Sequence, residues 1–420
     1  MTIPTLDQND VLTLRLSELN QYKIDLGLER LTTVLKRLNL LTTNQQIITV
    51  GGTNGKGSTV SALCSLLKTQ AKKFGAFTSP HIFRFNERIN INGVEATDEE
   101  ISAAFDVIDQ TKQDIQLSYF EYAFLAALII FKSHAVDVIV LEVGLGGRLD
   151  ATNAVNADVA IITTVDIDHT EWLGDDIESI AYEKAGIMRT GKPVIYGDLN
   201  MPDAILKQAQ AISAKLLQFS HDYHITYNHS HFTYSYQSHE LNSLLRPALK
   251  GDWQLKNFSN ALTALFELGF DFDFNEIQHS IDQWQIKGRL QTIQSEPQVL
   301  VDVAHNKQAI SQLVNWLRDN PVKGNTRAVF SVLGDKHLDS WLGLLDEVID
   351  HWFVFQLKNQ RALEIKPLKF KLADHVSMFS VFNTGPEAYT MAHVCSESDD
   401  RIVVFGSFHV LDEVFEHSLI

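Results

Sequence analysis

The chain has 420 residues, about two to three times the size of a typical domain, so we expect two domains. Its composition is 45% hydrophobic, and its formal charge of −17, from 35 basic and 52 acidic residues, argues against nucleic acid or an anionic membrane as the main partner. The two cysteines, Cys64 and Cys395, lie far apart, which excludes a disulfide framework and a cysteine zinc finger. We expect a cytoplasmic monomer with no membrane span and no secretory signal in its first ten residues.

The predicted strands are spread along the whole chain. Six β-branched runs, each apolar on both faces, predict buried parallel strands. These runs are Gln46–Val50, Val136–Val143, Asp158–Val165, Val299–Val303, Arg327–Val332 and Arg401–Phe405. Amphipathic stretches fall between them, so the fold class is α/β with a mostly parallel sheet.

Capping residues mark the predicted helices. Thr97 and Glu100 form a capping box, in which a hydroxyl and a carboxylate satisfy free backbone amides, so a helix is predicted to begin there. Another helix is predicted to begin near Gly57 and to stop at Gly75. A third helical pattern covers Asn275–Trp284.

A polar link from Lys287 to Pro297 separates this third helical pattern from a new strand. It predicts a first domain of residues 1–287, a linker of residues 288–297 and a C-terminal domain of residues 298–420.

The segment from His221 to Glu240 contains five histidines and four tyrosines in rough alternation. Neither i, i+4 pairing nor a carboxylate frame accompanies the histidines. A surface hairpin is therefore expected here, and not a metal site.

A glycine-rich turn follows the first predicted strand and precedes a helix, within ITVGGTNGKGSTVSALCSLL at residues 48–67. Its glycines let successive backbone amides point to one centre, and the helix N-terminus adds positive potential, so the turn can cradle a triphosphate. Lys56 would reach the terminal phosphates, and Ser58 or Thr59 offers a hydroxyl to phosphate or magnesium. Only three residues separate Gly51 from Gly55, and a glycine lies between Lys56 and Ser58. The pattern therefore predicts a variant of the phosphate loop.

Polar residues at two strand ends predict a magnesium site. Glu142 ends a buried strand at the edge where open α/β sheets bind ligands. Magnesium takes a few hard oxygen ligands besides water and phosphate, so Ser79, Glu142 and the ATP oxygens would suffice. His169 follows another strand, and taken alone it reads as a loop histidine.

Several motifs in register give the chain a resemblance to the folylpolyglutamate synthase family of the Mur ligase superfamily. They are GTNGKGST in the glycine turn, TSPH at 78–81, LEVGLGGRLDATN at 141–153, DHTEWLG at 168–174, EKAGI at 183–187 and DVAHN at 302–306. IDLGLERL at 24–31 and FEYA at 120–123 resemble the bifunctional branch that also makes dihydrofolate. Gln21-Tyr22-Lys23 stand where relatives carry a His-Pro pair, so the shape of that loop is expected to differ.

The resemblance implies a Mur-ligase-like phosphate-loop ATPase domain and a smaller Rossmann-like C-terminal domain on the glutamate side. It implies that the catalytic and metal-binding residues are Lys56, Ser79, Glu142, His169 and a carbamylated Lys184. It places ATP on Asn54, Gly55, Lys56, Gly57, Ser58, Asn260, Arg289, Asp302 and His305. It places the pterin on Leu26, Gly27, Leu28, Phe120 and Asp150, and glutamate near Gly406, Ser407 and Phe408.

Without the resemblance, three of these residues have ordinary readings. Lys184 would be a helix lysine in a surface ion pair with Glu183 or a nearby acid, Phe120 a core aromatic residue, and Arg289 an exposed linker arginine.

The expected activity is ATP- and magnesium-dependent ligation of L-glutamate to dihydropteroate and to reduced folates through an acyl phosphate. The alternatives are a monofunctional folylpolyglutamate synthase and a Mur-type ligase acting on another carboxylate. A regulatory phosphate-loop ATPase and a noncatalytic folate-binding module are rivals from other classes. The regulatory ATPase predicts nucleotide turnover that does not depend on glutamate.

Overall fold

The computed structural model describes residues 12, 15, 16, 18, 19, 26–41 and 44–416. The first ten residues and Gln21-Tyr22-Lys23, on which two expectations rest, lie outside that range. The chain divides into two compact units. The first holds the chain up to His81, Phe85–Ala248 and Trp253–Trp284, and the second holds Ile82–Arg84, Leu249–Asp252 and the chain from Gln285 onward.

Within the described residues the strands form three sheets. The strands are β1 Gln46–Gly51, β2 Phe74–Phe77, β3 Ile89–Ile91, β4 Val94–Glu95, β5 Val138–Glu142, β6 Val159–Ile162, β7 Pro193–Tyr196, β8 Lys215–Gln218, β9 Tyr223–Tyr227, β10 His231–Tyr236, β11 His239–Leu245, β12 Gln291–Ser295, β13 Gln298–Val301, β14 Thr326–Phe330, β15 His351–Phe355, β16 Phe379–Phe382 and β17 Arg401–Phe405. The first unit has an eight-stranded sheet in the order β4-β3-β2-β5-β1-β6-β7-β8 and a three-stranded sheet, β11-β10-β9. The second unit has a six-stranded sheet in the order β12-β13-β17-β14-β15-β16.

The described helices alternate with these strands, as the α/β prediction requires. They are α1 Glu29–Arg37, α2 Lys56–Leu67, α3 Asp98–Lys112, α4 Tyr119–Ser133, α5 Thr170–Leu173, α6 Ile177–Ala185, α7 Asp203–Ala211, α8 Trp253–Glu267, α9 Phe274–Gln283, α10 Lys307–Asp319, α11 Leu342–Leu345, α12 Ile365–His375, α13 Gly385–Val394 and α14 Phe408–Phe415. None of them is both long enough and apolar enough to cross a membrane.

The parallel centre of the large sheet is β2-β5-β1-β6-β7-β8, and it confirms the predicted fold class. Val50 of β1 lies beside Glu142 of β5, and Gly51 lies beside Ile162 of β6. Strands β1, β5 and β6 therefore end together, and the residues after them share one edge of the sheet. The apolar run in α4 packs into the core on one face of this sheet.

The helix after the phosphate loop is shorter than predicted. It ends at Leu67, and Gly75 lies in β2. The prediction that Gly75 stops the helix is wrong. A Cβ on Gly75 would lie 2.4 Å from Cδ1 of Phe131, so this glycine allows an aromatic ring of α4 to approach the strand.

The capping box at Thr97 is confirmed. The Thr97 hydroxyl accepts from the Glu100 amide, and the Glu100 carboxylate accepts from the Thr97 amide. The third predicted helix is α9, shifted by one residue.

The His- and Tyr-rich segment forms the antiparallel strands β9, β10 and β11. The predicted hairpin is present, but the segment does not lie wholly on the surface. Tyr223, Tyr234 and Tyr236 are buried, and their hydroxyls bond to Asn260, Thr263 and Glu267 of α8. The alternation therefore places tyrosines against a helix, and it leaves His224 on the exposed side.

Part of the segment expected to be a linker folds into the sheet of the second unit. Gln291–Ser295 forms β12, which pairs antiparallel with β13. Its polar side chains suit an edge strand, which has one face and one side in solvent. The remaining strands of this sheet pair in parallel.

Candidate active site

The glycine turn between β1 and α2 has the strand–turn–helix arrangement of a phosphate loop. Gly55 caps α2 with φ +84°, and Lys56 is the first helical residue. The Lys56 Nζ donates to the carbonyls of Gly52 at 2.9 Å and Thr53 at 3.2 Å, so the side chain lies along the loop. The amino group and the start of the helix thus face the same concavity, which suits an anion.

The residues after β6 brace this loop. The Thr163 hydroxyl donates to the carbonyl of Asn54 at 2.6 Å, and the amide of Asn54 donates to the Thr164 hydroxyl at 3.1 Å. Gly52 has φ +141°, and a Cβ there would lie 1.9 Å from the Thr163 hydroxyl oxygen. Only glycine fits at this close approach.

Glu142 and Ser79 meet at the same edge of the sheet. Glu142 ends β5 and is buried, and its Oε2 accepts from the Ser79 amide at 3.1 Å. Gly57, in the first turn of α2, brings the helix to the Glu142 carboxylate, because a Cβ there would lie 3.7 Å from both of its oxygens. The structure thus brings Ser79, Glu142 and the phosphate loop together.

A cleft beside the loop collects further charged residues. It is lined by Gly52, Thr53, Lys56, Val143, Gly144, Leu145, Gly146, Asp168, His169, Leu173 and Lys184. Its empty volume is about 270 Å³. Lys56, Asp168, His169 and Lys184 therefore line one cleft beside the phosphate loop.

Lys184 is buried in α6, with 4% of its surface exposed. The alternative interpretation of Lys184 as a surface lysine paired with Glu183 is wrong. Lys184 is buried, and Oε1 of Glu183 instead accepts from a guanidinium nitrogen of Arg148 at 2.8 Å. Burial, together with the nearby Lys56 ammonium, lowers the pKa of Lys184 to about 7, although the Asp168 carboxylate acts in the opposite direction. A neutral amine is the form that can add carbon dioxide.

His169 adopts a left-handed backbone conformation with φ +53° at the start of α5. Its amide donates to the carboxylate of Asp168 at 2.9 Å. Sequence reasoning missed Asp168, which lines the cleft with a side chain that is 10% exposed. Its only signal was its place immediately before His169.

Buried Arg88 is a second residue that sequence reasoning missed. Its Nε donates to His81 Nδ1 at 2.8 Å, and its carbonyl accepts from the amide of Thr78. Burial lowers the pKa of this guanidinium, and the charges of Tyr119, Glu142 and Glu87 oppose that effect. Arg88 therefore braces the turn that carries Ser79.

The predicted pterin residues also come together in the first unit. The amide of Gly27 donates to the carbonyl of Leu149 at 3.4 Å, which places the 26–28 loop beside the glycine-rich loop after β5. Phe120 is half-buried, and its ring centroid lies 5.5 Å from that of Phe77. A Cβ on Gly144 would lie 2.6 Å from Phe120 Cζ, so the ring also abuts that loop.

Asp150 holds the shape of the glycine-rich loop. Its carboxylate accepts from the amides of Gly144, Leu145 and Thr152 and from the Thr152 hydroxyl. Burial raises its pKa, and these hydrogen bonds oppose the rise. In the structure this carboxylate bonds to its own loop, and the contact of Asp150 with the pterin stays a prediction.

Asn260 is fully buried in α8, where its side-chain carbonyl accepts from Tyr223 at 2.7 Å. Asn257, one turn earlier, lies at the phosphate loop instead. A Cβ on Gly55 would lie 2.6 Å from its Oδ1. The sequence prediction chose Asn260, which lies one helical turn after Asn257. Local composition does not distinguish two asparagines that are three residues apart on the same helix.

The remaining predicted residues lie in the second unit, at the ends of β13 and β17. Asp302 is buried and accepts from the amides of Leu290 and Ala304 at 2.8 and 2.7 Å. Burial raises its pKa, and the Arg289 guanidinium opposes the rise. That guanidinium lies 5.4 Å from the centroid of the Phe408 ring, so Arg289 is not a freely exposed linker residue.

Two further predicted residues of this unit, His305 and Ser407, lie shortly before helices α10 and α14. His305 Nδ1 bonds to the carbonyl of Val303 at 2.7 Å. Ser407 caps α14, and its hydroxyl accepts from the Val410 amide.

The donor set at Glu142 fits a magnesium ion. Within the described ranges no group of three or more His, Cys, Asp or Glu residues is placed to hold a metal by itself. Magnesium does not need one, because it takes one or two protein oxygens and completes its shell with water and phosphate. The carboxylate of Glu142 beside Ser79 and the phosphate loop matches that requirement.

The phosphate loop at the edge of a parallel sheet and the second α/β unit fit the class of Mur ligases, and two domain matches show it. The Mur ligase middle domain matches residues 50–266, and the Mur ligase, glutamate ligase domain matches residues 288–408. The dihydrofolate synthase/folylpolyglutamate synthase of Escherichia coli strain K12 is 37% identical over 96% of this chain and 93% of its own. The Haemophilus influenzae enzyme of the same name is 35% identical over 93% of each chain.

Solved structures agree with these relatives. Escherichia coli FolC in complex with DHPP and ADP has a TM-score of 0.92 at 36% identity, covering 99% of this chain and 98% of that chain. The bifunctional enzyme of Yersinia pestis has a TM-score of 0.88 at 36% identity, covering 98% of each chain. The chain belongs to the dihydrofolate synthase/folylpolyglutamate synthase family.

Proposed function

We propose that this protein is an ATP-dependent ligase that joins L-glutamate to the carboxylate of dihydropteroate and to the γ-carboxylate of reduced folates. The observation that carries the proposal is the phosphate loop with Lys56 beside Glu142 and Ser79, next to the cleft that contains Lys184. Family relatives bind ADP and DHPP, or Mn, AMPPNP and L-glutamate, which supports the same substrates here.

The reaction proceeds in two steps. The acceptor carboxylate attacks the γ-phosphorus of ATP, which gives an acyl phosphate and ADP. The amino group of glutamate then attacks the acyl carbon, phosphate leaves with the bonding electron pair, and the amine loses a proton. Phosphorylation is needed because a carboxylate is a poor electrophile, while phosphate is a good leaving group.

The residues of the first unit support the first step. The amides of the loop from Asn54 to Ser58 bind the phosphates, and Lys56 offsets their charge. Glu142, Ser79 and His169 would hold magnesium, which neutralises charge on the transferred phosphoryl group when it is bound. The 26–28 loop, Phe120 and the loop held by Asp150 would bind the pterin, with Phe120 offering a flat apolar face.

Lys184 is proposed to be carbamylated, which would turn a buried cation into an anion suited to a second magnesium. Its burial in the cleft beside Asp168 supports this assignment. Intact-mass analysis under non-denaturing conditions should show a bicarbonate-dependent gain of one carbon dioxide, and Lys184→Ala should remove it. A mass that does not respond to bicarbonate would contradict the modification while leaving the ligase reaction untouched.

In the second unit, Arg289, Asp302 and His305 are proposed to contact ATP, and Gly406 and Ser407 to lie near glutamate. Asp302, His305, Gly406 and Ser407 follow β13 or β17, at the strand ends where open α/β sheets bind ligands. Arg289 precedes β12, whose first residue pairs with the last residue of β13. Asn257 is proposed to act at the phosphate loop, while Asn260 is proposed only to support helix α8.

We also propose that the protein is a cytoplasmic monomer. Cys64 and Cys395 are both free thiols, which suits a reducing compartment. Sedimentation of the purified protein over a range of concentrations tests the monomer.

The deciding experiment measures phosphate release from purified protein with ATP, magnesium, dihydropteroate and L-glutamate, omitting each in turn. Release is expected only when all four are present. Glutamate-independent release at the same rate would identify a regulatory ATPase instead. Replacing dihydropteroate with tetrahydrofolate tests the second activity, and its failure would indicate a dihydrofolate synthase alone.

A further inference from the structure

An ion pair between Arg30 and Glu121, two residues that are not predicted to contact substrate, joins two parts of the pterin subsite. Three segments form this subsite in the first unit, namely residues 26–30, 118–121 and 144–150. The Phe120 ring abuts Gly144, which links the second segment to the third. A different contact links the first segment, residues 26–30, to the second.

The backbone holds the 26–28 loop weakly. Gly27 has φ +137°, and among the described residues no atom lies within 4 Å of an added Cβ. Its amide reaches the Leu149 carbonyl only at 3.4 Å. Leu28 precedes α1 without a side-chain capping bond. A side-chain contact would therefore add to the long backbone hydrogen bond that is described for this loop.

Arg30, in the first turn of α1, supplies that contact. Its Nε donates to both carboxylate oxygens of Glu121, at 2.9 and 3.0 Å. The Glu121 side chain is 2% exposed and that of Arg30 25% exposed. A buried carboxylate is costly unless it is paired and hydrogen-bonded, so Glu121 holds its partner tightly.

Glu121 is itself fixed at the start of α4. Its Oε2 accepts from the amide and the hydroxyl of Ser118 at 2.7 and 2.8 Å, and its own amide donates to that hydroxyl. Phe120 is the adjacent residue. The ion pair therefore ties the 26–28 loop to the helical turn that carries the Phe120 ring.

We infer that Arg30 and Glu121 are positioning residues, which set the distance between the 26–28 loop and Phe120 and so determine affinity for the pterin end of the substrate. The inference rests on the proposed function. Because the pair links two segments of the pterin subsite, we expect it to act on the binding of dihydropteroate. Its loss should therefore change one substrate's KM selectively.

The test compares Arg30→Met with Arg37→Met, a matched substitution in the last turn of the same helix. Arg37 is exposed and donates to the carbonyls of Thr111 and Lys112. Arg30→Met is expected to raise the KM for dihydropteroate about tenfold, with kcat within about threefold and the KM for ATP within about twofold of wild type. Arg37→Met is expected to leave all three within about twofold.

Glu121→Gln and the double variant Arg30→Met/Glu121→Gln complete a cycle. Glutamine keeps the size of the side chain and an acceptor for Ser118, so this variant guards against a simple folding failure. If the pair acts as one unit, the double variant raises the KM for dihydropteroate no further than Arg30→Met alone. Multiplicative effects would overturn the inference, as would an equal rise in the KM for ATP.

The outcome also separates this inference from the function on which it rests. A wild-type protein that releases no phosphate with dihydropteroate refutes the proposed function. An active wild type together with an unchanged KM for dihydropteroate in folded Arg30→Met refutes the positioning role alone.

Discussion

Among the side chains of the phosphate loop, Lys56 is expected to contribute most to phosphoryl transfer. Its ammonium lies along the loop carbonyls, within the concavity that would take the terminal phosphates. Lys56→Ala removes this charge from the transferring phosphoryl group, so turnover should fall at least about a hundredfold while the protein stays folded. Steady-state phosphate release measures the loss. Lys73→Ala, at an exposed position, serves as the control, and equal activity in both variants would remove Lys56 from the site.

A magnesium titration tests whether Glu142 is a metal ligand. Glu142→Gln keeps the shape and the acceptor for the Ser79 amide but removes the charge. Magnesium-dependent turnover should be lost, or the magnesium concentration for half-maximal rate should rise by about tenfold or more. The exposed Glu95→Gln should titrate like the wild type. A wild-type magnesium curve for Glu142→Gln would exclude this carboxylate as a ligand.

At the scale of elements, the β1–α2 turn requires glycine for a steric reason. A side chain at Gly52 would collide with Thr163 in a backbone conformation with φ +141°. Gly52→Ala should lower the free energy of unfolding by about 1–3 kcal/mol and abolish nucleotide binding. Gly191 also has positive φ, but no atom lies within 4 Å of its added Cβ, so Gly191→Ala should cost about 1 kcal/mol and keep activity. Urea unfolding and nucleotide titration compare the two, and equal nucleotide affinity would contradict the steric account.

The turns around β17 give a pH-dependent contribution to stability. Asp400 accepts from the amides of Asn325 and Glu397 and from the Arg327 guanidinium at 2.6 to 2.8 Å. Burial alone would raise the pKa of this carboxyl, but the two amides and the guanidinium outweigh burial and hold it below its ordinary value. The stabilisation is therefore present above the unfolded pKa of about 3.9 and is lost as pH falls through the lower folded pKa.

Asp400→Asn should accordingly lower the free energy of unfolding at pH 7 by about 1.5–3 kcal/mol. The difference from wild type should shrink as pH falls below about 3.9 and through the lower folded pKa, where the Asp400 carboxylate becomes protonated. Urea unfolding over a series of pH values from 7 downward measures it. The neighbouring exposed Asp399→Asn is the control, and a difference that persists in full at low pH would contradict an ionic origin.

Periodicity and local chemistry were enough to predict the central strands, the phosphate loop and the capping box at Thr97. They could not predict which turn of α8 meets the loop, because that depends on the packing of the helix and not on its composition. The same holds for Lys184, whose burial follows from how α6 packs on the sheet. Edge strand β12 was missed because its polar residues also read as a linker, and Gly75 because close packing by Phe131 leaves no local signal.

At the scale of the whole molecule, ligand binding should be visible as stability. Nucleotide that binds only the folded chain, at a hundred times its dissociation constant, adds about 2.7 kcal/mol. ADP with magnesium should therefore raise the midpoint of thermal unfolding and slow amide exchange in β1 and α2. Lys56→Ala should lose most of the shift. An unchanged midpoint in wild type at millimolar ADP would argue against the nucleotide site.

The antiparallel strands β9–β11 carry a consequence for how this sequence can vary. The hydroxyls of their buried tyrosines, Tyr223, Tyr234 and Tyr236, bond to Asn260, Thr263 and Glu267, which lie along one stripe of α8. Evolution should then preserve the phenols, whose loss would loosen a helix that reaches the nucleotide loop, and should let imidazoles such as His224 drift freely to other polar groups.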